Sequence, residues 1–371
     1  LHRPPQAVGR PHKDNFVDIL KDTEKPSLMM IKHCLHILLL ALLLATCTGC
    51  EKQEEFANDP EGNFDALWTT LDQHYSFFAY KHIDWEAVGR SYRAKVRPEM
   101  TSSELFDLCS AMLMELRDGH TNLISAANVS RYWIWEKRPL NYDERLIDQY
   151  YLNFDYKRAS GMKYQILSNN FGYLHYGDFG TVIGEGNLDA ALEYLASSDG
   201  LVIDVRSNGG GYLTNVKRLV GRFINEKIYA GAISHKKGPG HDDFSKPYDY
   251  YISPTAKRIH YTKPIVVLAN RGSYSATNNF VSIMKSLPNV KVVGDTTGGG
   301  SGLPFTSELP NGWTVRFSAC PITGPDGQPT EQGVAPDVQV DMTGDPKTGI
   351  ILHDAILDTA FKVLEQMAHG K

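Results

Sequence analysis

The segment from Pro264 to Pro288 constrains the fold most, because it joins an apolar run to an amphipathic run through a turn. Pro264–Asn270 (PIVVLAN) has the length and β-branched content of a buried strand. Asn279–Pro288 (NFVSIMKSLP) has apolar residues at helical spacing. The same alternation of short apolar runs with helical segments recurs along the chain, for example at Gly200–Val205 and Leu213–Phe223. This pattern predicts an α/β domain with a largely parallel sheet.

A hydroxyl side chain occupies the turn between this strand and this helix. Ser275 is expected at the helix N-terminus, where backbone N–H groups and the helix dipole stabilise negative charge. Acyl transfer by a serine requires such a position. An ordinary N-cap is the commoner fate of a serine before a helix. Ser273, two residues earlier, is a rival for the same role, so the turn alone leaves the choice open.

Three further segments carry residue types that suit catalysis. Ile203–Gly211 (IDVRSNGGG) ends a strand in a glycine-rich turn, which frees backbone N–H groups for a ligand. Asp118–Thr121 (DGHT) closes a predicted helix, with Gly119 as a suitable stop, and Gly333–Asp337 (GVAPD) follows Glu331. Each motif alone is weak, because glycines also serve plain tight turns and a helix-ending histidine commonly bonds a carbonyl.

Taken together and in this order, the four segments resemble the S41 serine peptidases, the family of C-terminal-processing and tricorn-type proteases. The resemblance runs roughly from residue 60 to residue 345. The residues that carry it are Asp204, Arg206, Asn208, Gly210, Gly211, Ser275-Ala-Thr-Asn278, Gly172-Tyr-Leu174 and Gly333-Val-Ala-Pro-Asp337. It implies an α/β fold, with a ClpP/crotonase-like core of stacked β-β-α units and an N-terminal helical domain.

The resemblance also assigns roles, with one departure from the processing proteases. Those enzymes pair the serine with a lysine in the loop after the next strand, and the aligned position here is Gly300. A Ser/Lys dyad is therefore not expected, and the tricorn-type branch is the better match. It implies Ser275 as nucleophile, His120 as general base and Glu331 as the acid that orients His120.

The oxyanion hole would come from two backbone N–H groups. Ala276 supplies one, and the Gly209–Gly211 turn supplies the other, with Gly210 as the first choice. Asp204 and Arg206 are expected to brace this turn rather than to take part in the chemistry.

The domain boundaries follow from the motifs and from the N-terminal composition. Residues 1–50 are expected to form an upstream extension plus a lipoprotein signal peptide, and residues 51–60 a tether. Residues 61–124 are predicted to form the N-terminal helical domain, and residues 125–371 the S41-like catalytic domain. The stretch before Gly172 is short for the PDZ module that many relatives insert, so none is expected.

The N-terminal region reads as a secretory signal. Met29 or Met30 is the expected start, followed by a short basic region, a short apolar run and Thr48-Gly-Cys50. This ending resembles a bacterial lipobox, with Cys50 as the lipidated first mature residue. A plain cleaved signal and an uncleaved anchor are the alternatives. The pattern predicts a lipoprotein of a bacterial cell envelope, at the periplasmic or outer-membrane surface, held to the membrane by its lipid.

Composition excludes several other classes of protein. The net charge of −5 gives no reason to expect a nucleic-acid partner. After the signal region only Cys109 and Cys320 remain, which excludes a disulfide framework and a cysteine metal site. Cys109 lies on an apolar helical face and is expected to be buried. No cofactor is expected, and the run Gly298–Gly302 lacks the lysine and hydroxyl of a phosphate loop.

The resemblance implies a serine endopeptidase that cleaves peptides or unfolded protein segments through an acyl-enzyme. Two other functions stay open at this point. One is a catalytically inactive ligand-binding protein on the same fold, which the missing lysine makes worth testing. The other is a different serine-dependent acyl hydrolase. The distance between His120 and Ser275 in the folded chain is the observation that bears most directly on the choice.

Overall fold

A seven-stranded sheet forms the centre of the computed structural model, which describes residues 55–132, 139, 141–344 and 351–369. The predicted signal peptide, Cys50 and most of the predicted tether lie outside these residues. In sheet order the strands are β12 (Val338–Gln339), β9 (Val290–Gly294), β8 (Ile265–Ala269), β5 (Leu201–Asp204), β4 (Gly172–Tyr176), β3 (Met162–Ile166) and β2 (Lys157–Ala159). The first five are parallel, and β3 and β2 are antiparallel to their neighbours.

Both faces of this sheet are covered, which explains the uninterrupted apolar sequence of its central strands. In β8, Val267 faces one cluster and Val266 the opposite one. The first cluster contains α6 (Glu185–Leu195), α7 (Leu213–Val220) and α8 (Ala276–Lys285). The second contains α5 (Glu144–Tyr150) and α9 (Ala355–His369). The predicted strand, turn and helix at 264–288 are confirmed, and the parallel strands end where the candidate residues begin.

A second, antiparallel sheet of five strands packs against the N-terminal helices. Its strands are β1 (Asn122–Ile124), β6 (Ile228–Ile233), β7 (Tyr248–Ile252), β10 (Gly302–Glu308) and β11 (Thr314–Thr323). The helices are α1 (Pro60–His74), α2 (Phe78–Lys81), α3 (Trp85–Arg93) and α4 (Ser102–Met114). Because β1 pairs with β11, the chain enters this sheet directly after the helices. The described residues from Phe56 onward belong to a single compact unit.

Local sequence signals explain several element ends. Thr101 and Glu104 form a capping box at the start of α4. A hairpin at Asn311-Gly312 joins β10 to β11. Cys109 is buried at 1% exposure, as predicted. The helix stop differs from the prediction, because α4 ends at Met114 and Arg117, rather than Gly119, takes the positive φ of 49°.

None of the helices in the described part of the chain combines the length and apolarity that a bilayer crossing needs.

Candidate active site

Ser275 lies in a strained turn at the start of α8. Its φ of 60° and ψ of −121° fall outside the usual regions for a residue with a side chain. Its N–H donates to the Gly299 carbonyl at 2.8 Å, which helps to hold this conformation. The hydroxyl makes no capping hydrogen bond to the helix. The ordinary N-cap alternative is therefore wrong for Ser275, and its Oγ is available for another partner.

Ser273, the rival serine, is fully buried and its hydroxyl is occupied. Its Oγ donates to the Val205 carbonyl at 2.8 Å and accepts the Asn270 N–H at 3.1 Å. These bonds tie the turn to the end of β5. The cavity described below is lined by Ser275 and not by Ser273.

The His120 ring reaches Ser275 from the end of the N-terminal helices. The distance from His120 Nε2 to Ser275 Oγ is 3.0 Å, which is within the range for proton transfer. The edge of the Tyr274 ring packs against the imidazole, with ring centroids 4.9 Å apart. The topology therefore brings together two residues that are 155 positions apart in the sequence.

His120 is held in its neutral form. Burial lowers the pKa of its imidazole to about 4, the Asp118 carboxylate opposes this shift, and the positive charges of Arg316 and Lys81 add to it. A neutral ring is the form that accepts a proton. Among the described residues, His120 Nδ1 is buried without a hydrogen bond of normal geometry, and the nearby Gly302 backbone opposes the fall in the pKa.

Glu331 does not bond to the His120 ring. Its Oε1 is 2.8 Å from Lys81 Nζ, and its Oε2 accepts the Ser301 N–H at 2.8 Å. The predicted direct contact between Glu331 and His120 is therefore absent among the described residues. The sequence could not reveal this, because Lys81 lies in a different part of the chain and captures the carboxylate.

Lys81, Asp118 and Glu331 form a buried group, here called the Lys81 cluster. Lys81 Nζ lies 3.5 Å from Asp118 Oδ2, and Asp118 Oδ1 accepts the His120 backbone N–H at 2.8 Å. The cluster thus reaches the histidine through its backbone. Burial, together with the Asp118 charge, raises the pKa of Glu331 to about 7, because one ammonium must serve two carboxylates. The pKa of Asp118 is lowered by its Lys81 and His120 neighbours, despite burial.

The glycine-rich turn meets Ser275, although not through the predicted donor. The Gly210 N–H donates to Asn208 Oδ1 at 3.0 Å, so Gly210 is engaged within its own turn. Gly209 and Gly211 line the cavity, and Gly210 does not. A Cβ on Gly210 would lie 2.8 Å from Ser275 Cβ, so this glycine permits close packing. The sequence pattern could not show that the Asn208 side chain folds back onto the turn.

Ala276 is the first residue of α8 and lines the cavity beside Ser275. Its N–H has no acceptor within the helix, as is usual for the first turn. This position suits the predicted oxyanion donor.

Gly300, the position expected to correspond to the lysine of the processing proteases, has no room for a side chain. Its φ is 77°, and a Cβ there would lie 2.4 Å from Cζ of Tyr274. Lys285 instead donates to the Ala335 carbonyl at 2.6 Å, at the far end of α8. The described lining of the cavity contains no lysine. Tyr274 therefore occupies the space into which a residue-300 side chain would extend.

Arg206 and Asp204 are fully buried and brace the end of β5. Arg206 Nη2 lies 2.6 Å from Asp204 Oδ2 and 2.8 Å from Asp354 Oδ2. Tyr173 donates to the same Asp204 oxygen at 2.9 Å. Because Asp354 also accepts the first N–H groups of α9, these contacts fix the sheet to that helix.

A cavity of about 790 Å³ opens beside Ser275 and His120. Its wall combines backbone of the glycine turns with apolar side chains and three arginines. The side chains that give it its chemical character are Ile124, Val129, Leu303, Ile322, Arg131, Arg271 and Arg316. A space of this size accommodates several residues of an extended peptide. In the described residues no set of three His, Cys, Asp or Glu side chains is arranged to hold a metal ion.

Sequence reasoning missed Lys81, Asp118 and Arg316 as residues around Ser275 and His120. Asp118 stands in the Asp-Gly-His motif, so its proximity to His120 was a usable signal. Lys81 and Arg316 carry no local signal, because each reaches the site only through tertiary packing.

Comparisons with known proteins agree with this fold. The profile of peptidase family S41 matches residues 170–340, and that of the tricorn protease C1 domain matches residues 56–114. The crystal structure of a peptidase-like protein from Parabacteroides merdae ATCC 43184 superposes with a TM-score of 0.78 at 48% identity, over 83% of this chain and 97% of that one.

More distant relatives extend the comparison. The carboxy-terminal processing protease CtpA of Bacillus subtilis (strain 168) is 25% identical over 181 residues, which cover 48% of this chain and 36% of that protein. The match thus spans about a third of the curated relative. Mature CPAF has a TM-score of 0.64 at 11% identity, over 84% of this chain and 98% of that one, and this likeness concerns the fold. The sequence matches, the shared fold and the serine turn lead to one conclusion: the chain belongs to the S41 family of serine-type peptidases.

Proposed function

We propose that this protein is an endopeptidase that cleaves peptides or unfolded protein segments, with Ser275 as nucleophile and His120 as general base. The observation that carries the proposal is the 3.0 Å contact between His120 Nε2 and Ser275 Oγ. The contact lies at a helix N-terminus, beside a cavity large enough for a peptide. A neutral imidazole at this distance supplies the base that the missing lysine would otherwise provide.

The reaction follows from the positions of these groups. Ser275 Oγ attacks the scissile carbonyl carbon while its proton passes to His120 Nε2. The tetrahedral intermediate collapses, the C–N bond breaks, and His120 returns the proton to the leaving amine. A water molecule, deprotonated by the same ring, then hydrolyses the acyl-enzyme and releases Ser275.

The oxyanion would be stabilised by the Ala276 N–H and by an N–H of the Gly209–Gly211 turn. Each such donor contributes about 3 kcal/mol to the stabilisation of the transition state. Gly209 or Gly211 suits this task better than Gly210, because both line the cavity and the Gly210 N–H is already bonded to Asn208.

Fluorophosphonate labelling tests the nucleophile. The probe is expected to modify the protein once, at Ser275, as read by peptide mass spectrometry. Ser275→Ala should abolish the label, and Ser273→Ala should retain it per folded molecule, since the Ser273 hydroxyl only braces the turn. Absence of labelling in the wild-type protein, or labelling that persists in Ser275→Ala, would remove Ser275 from its role and favour the ligand-binding alternative.

We also propose that Cys50 is lipidated and holds the protein at a bacterial cell envelope, on the strength of the sequence pattern before it. Cells fed a radiolabelled or alkyne-tagged fatty acid are expected to incorporate the label into this protein. Cys50→Ala should lose the label, whereas Cys109→Ala, which alters a buried thiol in the folded part, should retain it. Labelling that survives in Cys50→Ala would refute the anchor.

A further inference from the structure

Arg316 borders the catalytic cavity and has no carboxylate within ion-pair distance among the described residues. It extends from β11 and is half-buried. Its guanidinium donates to Asn122 Oδ1 at a long 3.4 Å. The fully buried arginines Arg206 and Arg222, by contrast, each form ion pairs with two carboxylates. Arg206 contacts two carboxylates, and Arg222 contacts Glu185 and Asp189 at 2.9 and 2.6 Å.

A guanidinium that has lost water without gaining an anion is destabilised. Burial accordingly lowers the pKa of Arg316 from its usual value, and the nearby Tyr274 phenol and Asp118 carboxylate offset this only in part. Asp118 cannot serve as its close partner, since it lies against Lys81 and the His120 N–H. The site therefore has an unmet preference for negative charge, next to the catalytic pair.

Two more arginines, Arg131 and Arg271, line the cavity with Arg316, and Arg271 Nε lies 3.8 Å from Asp295 Oδ2. The described lining contains no aspartate or glutamate. Arg316 acts at the catalytic pair itself, because its charge helps to lower the pKa of His120. A planar guanidinium binds a carboxylate through two parallel hydrogen bonds, which makes that group the natural ligand in a peptide-binding cavity.

We propose that this cavity selects peptides that present a carboxylate close to the scissile bond, and that Arg316 binds that carboxylate. The inference rests on the proposed peptidase function and adds its substrate class. An acidic side chain and a free C-terminus offer the same chemistry. An anion bound there also screens the Arg316 charge from His120, which raises the pKa of the imidazole. Binding of the correct substrate therefore makes His120 a stronger base.

The test uses two pairs of peptides that differ only in one carboxylate. One pair has both ends blocked and carries Asp or Asn near the cleaved bond, and the other ends in a free carboxylate or an amide. Affinity is measured by fluorescence anisotropy on the full chain carrying Ser275→Ala, and kcat/KM is measured on the wild-type chain. We expect the carboxylate member of at least one pair to be favoured roughly tenfold, the strength of a charged hydrogen bond.

Variants assign this preference to one residue. Arg316→Gln is expected to reduce the ratio between the two members of the favoured pair to about one, and Arg316→Lys to keep part of it. Arg90→Gln is the matched control, because Arg90 is 70% exposed on α3 and should leave the ratio unchanged. The pair that shows the preference tells whether the carboxylate belongs to a side chain or to the C-terminus.

Equal affinities within both pairs on the Ser275→Ala chain, or no measurable binding of any peptide, would overturn the proposal. A preference that persists in Arg316→Gln would overturn the assignment to Arg316. The peptidase function and the carboxylate preference can be refuted independently of each other. If no peptide is cleaved and Ser275 is not labelled, the peptidase function fails, while a carboxylate preference in the binding assay still stands.

Discussion

Replacing His120 with Gln is expected to lower kcat/KM for peptide hydrolysis on the order of 10⁴-fold. The Ser275 hydroxyl needs a group that takes its proton, and His120 Nε2 at 3.0 Å is positioned for this. No lysine lines the described cavity, and the space at Gly300 is filled by Tyr274. Glutamine preserves the volume and a hydrogen bond but cannot accept the proton. The measurement is kcat/KM for one fluorogenic peptide, with the two proteins compared per folded molecule.

His175 provides the matched control for this substitution. It is a half-buried histidine, hydrogen-bonded to the Tyr142 hydroxyl at 3.1 Å, and it does not line the cavity. His175→Gln is therefore expected to keep kcat/KM within a few-fold of the wild type. A small loss in His120→Gln, or equal losses in both variants, would mean that another group activates Ser275.

The pH profile gives an independent view of the same residue. Only the neutral ring accepts a proton, so activity falls as pH decreases through the pKa of the base. Burial lowers the pKa of His120 to about 4 from an ordinary 6.5. The acid limb of kcat/KM is thus expected well below pH 6, with activity retained at pH 5.5. An acid limb near pH 6.5 would instead indicate a solvated histidine and contradict the buried base.

The contact between Ser275 and His120 could be predicted from sequence because each residue belongs to a recognisable segment. A strand, a hydroxyl and an amphipathic helix define the turn around Ser275, and His120 lies in the Asp-Gly-His segment. The resemblance to the tricorn-type branch implied that the two residues meet, and the structure places them 3.0 Å apart. The choice of Ser275 over Ser273 also followed from the family pattern, and the structure adds the physical reason, namely that the Ser273 hydroxyl is already bonded twice.

The rest of the site depends on contacts that no local pattern encodes. Glu331 was predicted beside His120, but Lys81 from the helical part binds its carboxylate. Gly210 was predicted as a donor, but the Asn208 side chain takes its N–H. In both cases the residue is near the predicted place and its hydrogen-bonding capacity goes to a different partner. Periodicity and motif order predict where a residue lies along a helix, strand or turn. They do not predict which of several polar neighbours forms a hydrogen bond with it.

Replacing Lys81 with Met is expected to lower the free energy of unfolding by about 3–5 kcal/mol, because it leaves two buried carboxylates without their cation. The Lys81 side chain is 6% exposed, and the side chains of Glu331 and Asp118 are 4% and 0% exposed. Water therefore cannot replace the lost charge. Methionine fills a similar volume, so the effect is one of charge rather than of packing. Denaturant unfolding of both proteins at pH 7 measures the difference.

A second substitution separates charge from other causes. In Lys81→Met/Glu331→Gln a neutral amide replaces one of the two carboxylates. We expect this variant to regain a substantial part of the free energy of unfolding that Lys81→Met loses. Lys291→Met is the matched surface control, because Lys291 is exposed on β9 and should change stability by less than about 0.5 kcal/mol. A Lys81→Met protein as stable as the wild type, or a double variant no more stable than Lys81→Met, would contradict the account.

The pKa of Glu331 in the Lys81 cluster determines whether the free energy of unfolding rises or falls with pH. The folded protein raises the pKa of Glu331 from 4.5 to about 7, so it binds that proton more tightly than the unfolded chain does. This contribution is complete below pH 4.5 and is lost as pH rises through about 7. Wild-type stability relative to Glu331→Gln is thus expected to fall over this window. The deficit of Lys81→Met should likewise be smallest at pH 5, because a proton on Glu331 then removes one of the two buried negative charges that the missing ammonium no longer balances.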